Sequence, residues 1–171
     1  QKRLKKEDAV AQLKKLLIDA TRDRLLSDVP LGAFLSGGND SSLVVAMMIK
    51  ELGIKAKTFS IGFENSPSSE HPVAAEIARI LGADHHELIV SPSAVEQLPT
   101  IVNALDEPNG DSSCLPVYLL SQFARQKVTV ALSGDGGDEM FGGYGRYTHT
   151  FREATSLKFR LRHFKKNKKF W

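Results

Sequence analysis

LGAFLSGGNDSSL, residues 31–43, is the stretch whose reading decides the fold. A short apolar run over 31–35 stops at Ser36-Gly37-Gly38. Asp40 and two hydroxyls, Ser41 and Ser42, come next, and an apolar run over 43–49 follows. That order reads as strand, glycine turn, helix. Adjacent glycines carry no Cβ, so the backbone can turn sharply and approach a ligand closely. The first N–H groups of the helix beyond them have no partner inside it. They point out of its positive end, which suits an anion and above all a phosphate. Ser36, Ser41 and Ser42 add hydroxyl donors. Asp40 is out of place in a phosphate cradle unless a divalent cation offsets its charge. An ordinary strand-to-helix turn capped by Ser or Asp is the plainer alternative.

The stretch is neither the nucleotide-binding loop GxxxxGK[ST], whose lysine is missing, nor the dinucleotide fingerprint GxGxxG. SGGxDSS is similar instead to the pyrophosphate loop of ATP pyrophosphatases, enzymes that cut ATP to AMP and pyrophosphate.

Working outward, residues 4–27 read as a leading helix, with Val10, Leu13, Leu16, Leu17, Ala20 and Leu25 near helical spacing. Pro30 disfavours helix before it. After the first strand, a helix is expected over about 41–52, stopped by Gly53. A second strand follows over 55–61 (KAKTFSI), then a polar loop over 64–70. A helix over about 72–81 has Pro72 in its tolerated first turn and Gly82 as its stop. Residues 84–90 (DHHELIV) read as a third strand, 93–105 as a helix, and 106–113 (DEPNGDSS) as a turn-rich loop. A helix over 115–126 leads to a fourth, nearly all-apolar strand over 127–132 (KVTVAL). The alternation predicts an α/β fold with a buried, mostly parallel sheet between helical layers, a three-layer α/β/α arrangement with right-handed crossovers. Such sheets bind ligands beyond the carboxyl ends of their strands, where the glycine-rich segments lie.

Composition agrees with a single globular domain: 171 residues, 42% hydrophobic and 25% charged. No apolar run approaches membrane-spanning length, and no stretch has the form of a signal peptide. The single cysteine, Cys114, excludes an internal disulfide and fits a reducing cytoplasm. It reads as a half-buried structural thiol. The net charge of +3 is uneven: residues 151–171 hold 8 Lys/Arg and one acid, against 15 basic and 19 acidic groups before them. The expected organisation is therefore a domain over 1–150, with 1–27 as its leading helix, and a basic segment over 151–171. Leu157, Phe159, Leu161, Phe164 and Phe170 among those cations suggest the start of an amphipathic helix. Nucleic acid or an anionic membrane surface is the rival partner for that segment. The chain begins with Gln1 rather than Met, as a piece of something longer would.

A second motif follows the fourth strand: Ser133-Gly134-Asp135-Gly136-Gly137-Asp138-Glu139, then Phe141-Gly142-Gly143-Tyr144. Three acids within five residues repel one another unless cations or a cationic substrate are present. With Asp40, they suggest Mg²⁺ on a polyphosphate, an ion that takes one or two protein carboxylates and fills its shell with phosphate oxygens and water. A solvated acidic turn is the alternative.

DVPLGAFLSGGNDSS, TFSIGF, the HHEL strand, LPVYLLSQFAR and LSGDGGDEMFGGYGRY together resemble the synthetase domain of the glutamine-dependent asparagine synthetase family, over about residues 27–147. The resemblance implies an adenine nucleotide alpha hydrolase-like fold. It also implies a ligase that adenylates the side-chain carboxylate of aspartate, releases pyrophosphate and lets ammonia displace AMP. The ammonia would come from glutamine through a glutaminase domain.

By position, the resemblance implies that Ser36, Gly37, Gly38, Ser41 and Ser42 hold the pyrophosphate and that Asp40 and Asp138 bind Mg²⁺. The backbones of Leu35 and Ile61 would contact adenosine, and Ser133 and Gly134 would lie against the nucleotide. Asp135 stands where many relatives carry a glutamate linked to the acyl-adenylate, so Asp135 and Asp138 are the catalytic candidates. Family members also use a later lysine, so these 171 residues alone are expected to be an incomplete enzyme. ATP, an aspartate-like carboxylate and ammonia are the expected small-molecule partners. The glutaminase domain and a second copy of the chain are the expected protein partners, in the cytoplasm.

His85 and His86 cannot chelate one ion together, because adjacent strand residues point to opposite faces. Packing is the reading for both. His71 and His149 read as isolated and exposed. Tyr144 and Tyr147 are open to two readings, site-lining or packing. A nucleotide-binding module without turnover, or a relative acting on another carboxylate, is the alternative function.

Overall fold

The structure, a computed structural model, describes residues 4–64, 66 and 69–156. The chain divides after Gly134 into two compact units.

The first unit runs α1 (Lys6–Arg24), β1 (Leu31–Phe34), α2 (Asn39–Ala46), β2 (Lys57–Phe63), α3 (His71–Leu81), β3 (Asp84–Val90), α4 (Leu98–Leu105), α5 (Cys114–Ala124) and β4 (Val130–Leu132). The four strands form one parallel sheet in the order β3-β2-β1-β4. The chain winds from β1 outward to β3, then crosses to the other side of β1. The strand order therefore reverses between β1 and β4, and the carboxyl ends of those two strands border the crevice where such sheets take ligands.

Helices cover both faces. On one, Ala33 and Leu35 of the β1 stretch meet Val45 and Met48 from α2 and its extension, and Ala74 and Ala78 of α3. Ala74 and Ala78 stand one turn apart, so α3 lays a row of small side chains on the sheet and comes close to it. On the other face, fully buried Phe59 packs with Leu120, Phe123 and Ala124 of α5. Its ring meets Phe123 edge-on at 6.0 Å and 87°. Truncation of such a side chain to alanine costs about 3–5 kcal/mol. Gly82 ends α3 in the left-handed conformation, φ 80°, with its N–H on Ala78 O at 2.8 Å.

Several boundaries differ from expectation. The helix expected over 41–52 starts at Asn39, and its last turn, Met47–Glu51, widens into a π-helix. The second strand extends to Phe63 because β3 pairs with it along its whole length, Lys57 with Asp84 through Phe63 with Val90. Residues 92–97 form a 3-10 turn rather than α-helix, and α4 starts at Leu98. Lys127 and Val128 are not strand, although apolar patterning suggested it. Their N–H groups close the end of α5 on Ala124 O, both at 2.9 Å. The leading helix also leaves much of its apolar stripe in solvent, with Leu16 65% exposed.

The second unit holds α6 (Gly137–Phe141) and α7 (Gly145–Thr155), neither of which buries a residue. Both were read from the sequence only as a glycine- and acid-rich turn with a basic segment beyond. The proposed amphipathic helix of the tail, from Leu157 to Phe170, lies outside the described residues.

Candidate nucleotide site

The β1–β2 ladder ends with Leu35 N–H on Phe59 O at 2.9 Å. In a parallel ladder the next rung would carry Ile61 N–H to Leu35 O. No such bond joins them, because the chain turns away at Ser36-Gly37. Phe59 and Ile61 share an edge of β2 by alternation, so the N–H and C=O of Ile61 face the gap that β1 has left. Leu35 O faces the same gap. The two residues singled out for adenosine thus present one main-chain donor and two acceptors at one open notch.

The turn itself needs glycine. Gly37 has φ 87°, and a Cβ there would stand 3.1 Å from Val73 Cβ and from Ala74 N, so the loop rests on the first turn of α3. The hydroxyls brace it from within. Ser36 N–H donates to Ser41 Oγ at 3.2 Å, the Ser36 and Ser41 hydroxyls are 2.9 Å apart, and Gly38 N–H donates to Ser36 Oγ at 3.2 Å. The Ser42 hydroxyl donates to Gly38 O at 2.6 Å. The hydroxyls expected to face a ligand are therefore engaged inside the loop, and Ser41 is only 7% exposed.

No side chain caps α2, whose N-cap residue is Gly38. The plain capping alternative is absent. The first-turn N–H groups, those of Asn39, Asp40 and Ser41, have neither an intrahelical nor a side-chain acceptor. They and the helix dipole form a positive end beside the notch. Half-buried Asp40 lies in that first turn. Ser133 and Gly134 leave β4 across the crevice from it, and Gly134 lies flat against the Asp40–Ser41 peptide, where a Cβ would stand 2.5 Å from Ser41 N. The structure thus brings residues 35–42, Ile61 and Gly134 to one edge of the sheet.

Asp135 and Asp138 belong to the second unit. Asp135 is exposed in the turn before α6, and the half-buried Asp138 carboxylate lies against Gly143, whose N–H donates to Asp138 O at 3.0 Å. The Tyr144 hydroxyl donates to Glu139 Oε1 at 2.6 Å. That bond holds the Glu139 carboxyl below the usual range and pushes Tyr144 up to about 12. Among the described residues no three His, Cys, Asp or Glu side chains converge as a protein-only metal site.

His85 and His86 face opposite ways as expected. His85 sits between two buried hydroxyls, Nδ1 2.9 Å from Thr58 Oγ1 and Nε2 3.2 Å from Ser60 Oγ. Burial lowers its pKa. His86 stacks on Phe59 at 5.4 Å. The reading of His71 as isolated is wrong. Its ring fills the space a Cβ of Gly62 would need, and Nδ1 lies 2.7 Å from Ser69 Oγ, which also accepts from Phe63 N–H at 3.3 Å. His71 therefore ties the exit of β2 to α3, one residue from Ile61, and no local pattern announced that contact. His149 is exposed and stands 3.7 Å from Glu153. A separate open cavity of about 960 Å³ lies between α4 and α5, lined in part by Leu98, Val102, Asp106, Asp111 and Cys114, and includes none of the expected site residues. No helix among the described residues is long and apolar enough to cross a membrane.

Residues 12–170 match the family described as Asparagine synthase. The chain is 43% identical over 150 residues to Asparagine synthetase [glutamine-hydrolyzing] 1 of Bacillus subtilis, covering 87% of the chain and 23% of that protein. It is 44% identical over 149 residues to the putative asparagine synthetase [glutamine-hydrolyzing] 2 of Methanocaldococcus jannaschii, covering 86% and 29%. The chain thus spans about a quarter of the length of these relatives. Among solved structures, the glutamine-dependent NAD+ synthetase of Acinetobacter baumannii, in complex with adenosine diphosphate, superposes with TM-score 0.56 at 24% identity, over 78% of this chain and 27% of that one. The NMN synthetase of Francisella tularensis does so with TM-score 0.53 at 18% identity, over 83% and 59%. These likenesses show the fold, a three-layer α/β/α arrangement of the adenine nucleotide alpha hydrolase-like kind.

Proposed function

The chain belongs to the asparagine synthase family, and we propose on that basis that it is the ATP-binding part of an amide-forming ligase that adenylates a carboxylate, the side chain of aspartate. The observation that carries the reading is the open notch at Leu35 and Ile61 beside the uncapped end of α2. The notch offers an N–H and carbonyls to the edge of a purine, and the helix end offers a row of N–H groups to its phosphates.

In this reading the acceptor's carboxylate oxygen attacks the α-phosphorus, and the bond to the bridging oxygen breaks. Pyrophosphate leaves with its electron pair, and no general base is needed because the nucleophile is already ionised. Ammonia then attacks the acyl carbon, loses a proton, and AMP departs with the acceptor oxygen. The chain's own contribution to the first step is electrostatic. The N–H groups at Gly37 and the start of α2 are fixed before reaction, by the inward serine hydrogen bonds and by packing on α3, and donate to charge gathering on the leaving group. Ser36, Ser41 and Ser42 act as braces for that cradle.

Asp40 and Asp138 are the groups proposed for Mg²⁺. Mg²⁺ takes one or two protein carboxylates and draws the rest of its ligands from phosphate and water. Bound there, Mg²⁺ would neutralise the polyphosphate. Asp135 is proposed to act near the acyl-adenylate. Ammonia from glutamine and a glutaminase domain are proposals in keeping with the relatives named glutamine-hydrolysing; a homodimer and a cytoplasmic setting are proposed beside them. Exchange of labelled pyrophosphate into ATP, run on the full polypeptide across candidate carboxylates, tests the reading. Exchange dependent on aspartate supports it, and ATP binding without exchange for any carboxylate returns the chain to a binding module.

A further inference from the structure

Phe59, Ile61 and Phe63 share the edge of β2 that faces β1, and each meets something different there. Phe59 O accepts from Leu35 N–H at 2.9 Å, the last rung of the β1–β2 ladder. Phe63 is closed off by the segment that leads into α3. Its N–H donates to Ser69 Oγ at 3.3 Å, and its C=O accepts from Ser66 N–H at 3.3 Å. Ile61 is the open position between that rung and that cap, so Ser69 forms the far wall of the notch.

Ser69 is itself held. Its hydroxyl lies 2.7 Å from Nδ1 of half-buried His71. With the imidazole proton on Nε2, the hydroxyl donates to Nδ1 while it accepts from Phe63 N–H, an unbroken chain from ring to strand. The ring also packs on Gly62, where a Cβ would stand 2.6 Å from His71 Cγ. His71 is the first residue of α3. Val73 and Ala74 of the same turn meet Gly37 of the glycine loop. One turn of α3 therefore braces the notch through His71 and the phosphate cradle through its neighbours, by separate contacts.

We propose that His71, acting through Ser69 and Gly62, is a positioning residue that holds the Ile61 edge against adenine and so makes the site select adenine over 6-oxopurines. The inference rests on the reading of the Leu35–Ile61 notch as the seat of the base, and deepens it by naming what enforces the choice. The Ile61 N–H can donate to adenine N1, and its C=O can accept from the 6-amino group. A 6-oxopurine carries N1–H and a carbonyl at those positions, so donor would face donor and acceptor would face acceptor. Such a mismatch rejects a ligand only where the protein groups cannot shift to avoid it. Ile61 has no β1 partner to hold it, and the contacts that fix its position beyond the last rung are those of Ser69 and His71.

The test is titration calorimetry of the full polypeptide with ATP, ITP and tripolyphosphate, each with Mg²⁺, for the unaltered protein and for His71→Ala, Ser69→Ala and His71→Asn. The unaltered protein should bind ATP more tightly than ITP. His71→Ala and Ser69→Ala should each weaken ATP about 3- to 10-fold, the loss of about one neutral hydrogen bond. ITP and tripolyphosphate should keep their affinity, so that discrimination between the two bases narrows. A general loosening of the fold would not spare them. His71→Asn, whose amide reaches the position of Nδ1, should recover much of the loss. If His71→Ala does not fold, Ser69→Ala, which leaves the ring in place, carries the same comparison. An equal loss for all three ligands, or an ATP affinity that neither variant moves, overturns the proposal. If the unaltered protein does not prefer ATP to ITP, the adenine reading of the notch is what fails. Amide exchange at Phe63 then decides separately whether His71 holds the edge: faster exchange in His71→Ala supports it, and an unchanged rate overturns it.

Discussion

Gly134 lies flat against the first turn of α2, with the position of its missing Cβ only 2.5 Å from Ser41 N and 2.9 Å from Asp40 C. Both neighbours are backbone, so neither can swing aside. Gly134→Ala must push the end of β4 away from the helix that carries the cradle. The expected cost is about 1–3 kcal/mol of stability, with a larger proportional loss of nucleotide affinity, read by urea unfolding and by titration calorimetry with Mg-ATP. Unchanged unfolding and binding would show that this contact does not set the position of the α2 end.

Gly37→Ala combines two penalties, a left-handed φ of 87° and a 3.1 Å approach to Val73 and Ala74. Strain of that kind costs about 1–3 kcal/mol. The neighbouring Gly38 has φ −69° and would meet only the Ser36 hydroxyl, at 3.3 Å. Thermal unfolding should therefore rank Gly37→Ala well below Gly38→Ala. The reverse order would contradict the turn described here.

Asp40→Asn leaves shape and volume nearly intact and removes one charge. If Asp40 serves a cation on the phosphates, pyrophosphate exchange should fall at least about 100-fold while the unfolding midpoint moves little. A variant that exchanges at the normal rate would return Asp40 to the role of a helix-end residue.

His85 gives a pH dependence whose sign follows from burial. Desolvation between Thr58 and Ser60 lowers its pKa, with Glu87 opposing and His86 adding to the shift. The unfolded chain, near the ordinary histidine value of about 6.5, takes up the proton first as pH falls. Stability from neutral His85 is thus complete above that value and declines as pH drops toward the folded-state pKa. Unfolding midpoints should fall between about pH 7 and pH 5, and His85→Gln should flatten that limb. An equal slope in the variant would assign the effect to other groups.

The alternation of strands and helices was legible because each parallel strand is a short apolar run closed by glycine or a polar turn, as with residues 31–38 and 84–90. The strand boundaries were less so. Phe63 is strand because β3 pairs with it, a tertiary decision, and Lys127 and Val128 are not because the end of α5 claims their N–H groups. The glycine loop was recognisable from SGGNDSS, but the direction of its hydroxyls was not: Ser36 and Ser41 lie five residues apart and meet only once the turn has formed. His71 was misread for the same reason, since its partner surface, Gly62, lies across a loop. Arg146 stacks on Tyr144 and Tyr147, two residues before it and one after, a contact that forms only once α7 brings the three side chains together.

The most direct measurement follows the acceptor's own oxygen. L-aspartate labelled with heavy oxygen in its side-chain carboxylate is incubated with the full polypeptide, Mg-ATP and ammonia, and the nucleotide product is read by mass spectrometry. Adenylation requires AMP carrying one labelled oxygen, with unlabelled pyrophosphate and an amide retaining the other. ADP as the nucleotide product, with label in inorganic phosphate, would place the attack on the γ-phosphorus and contradict the account.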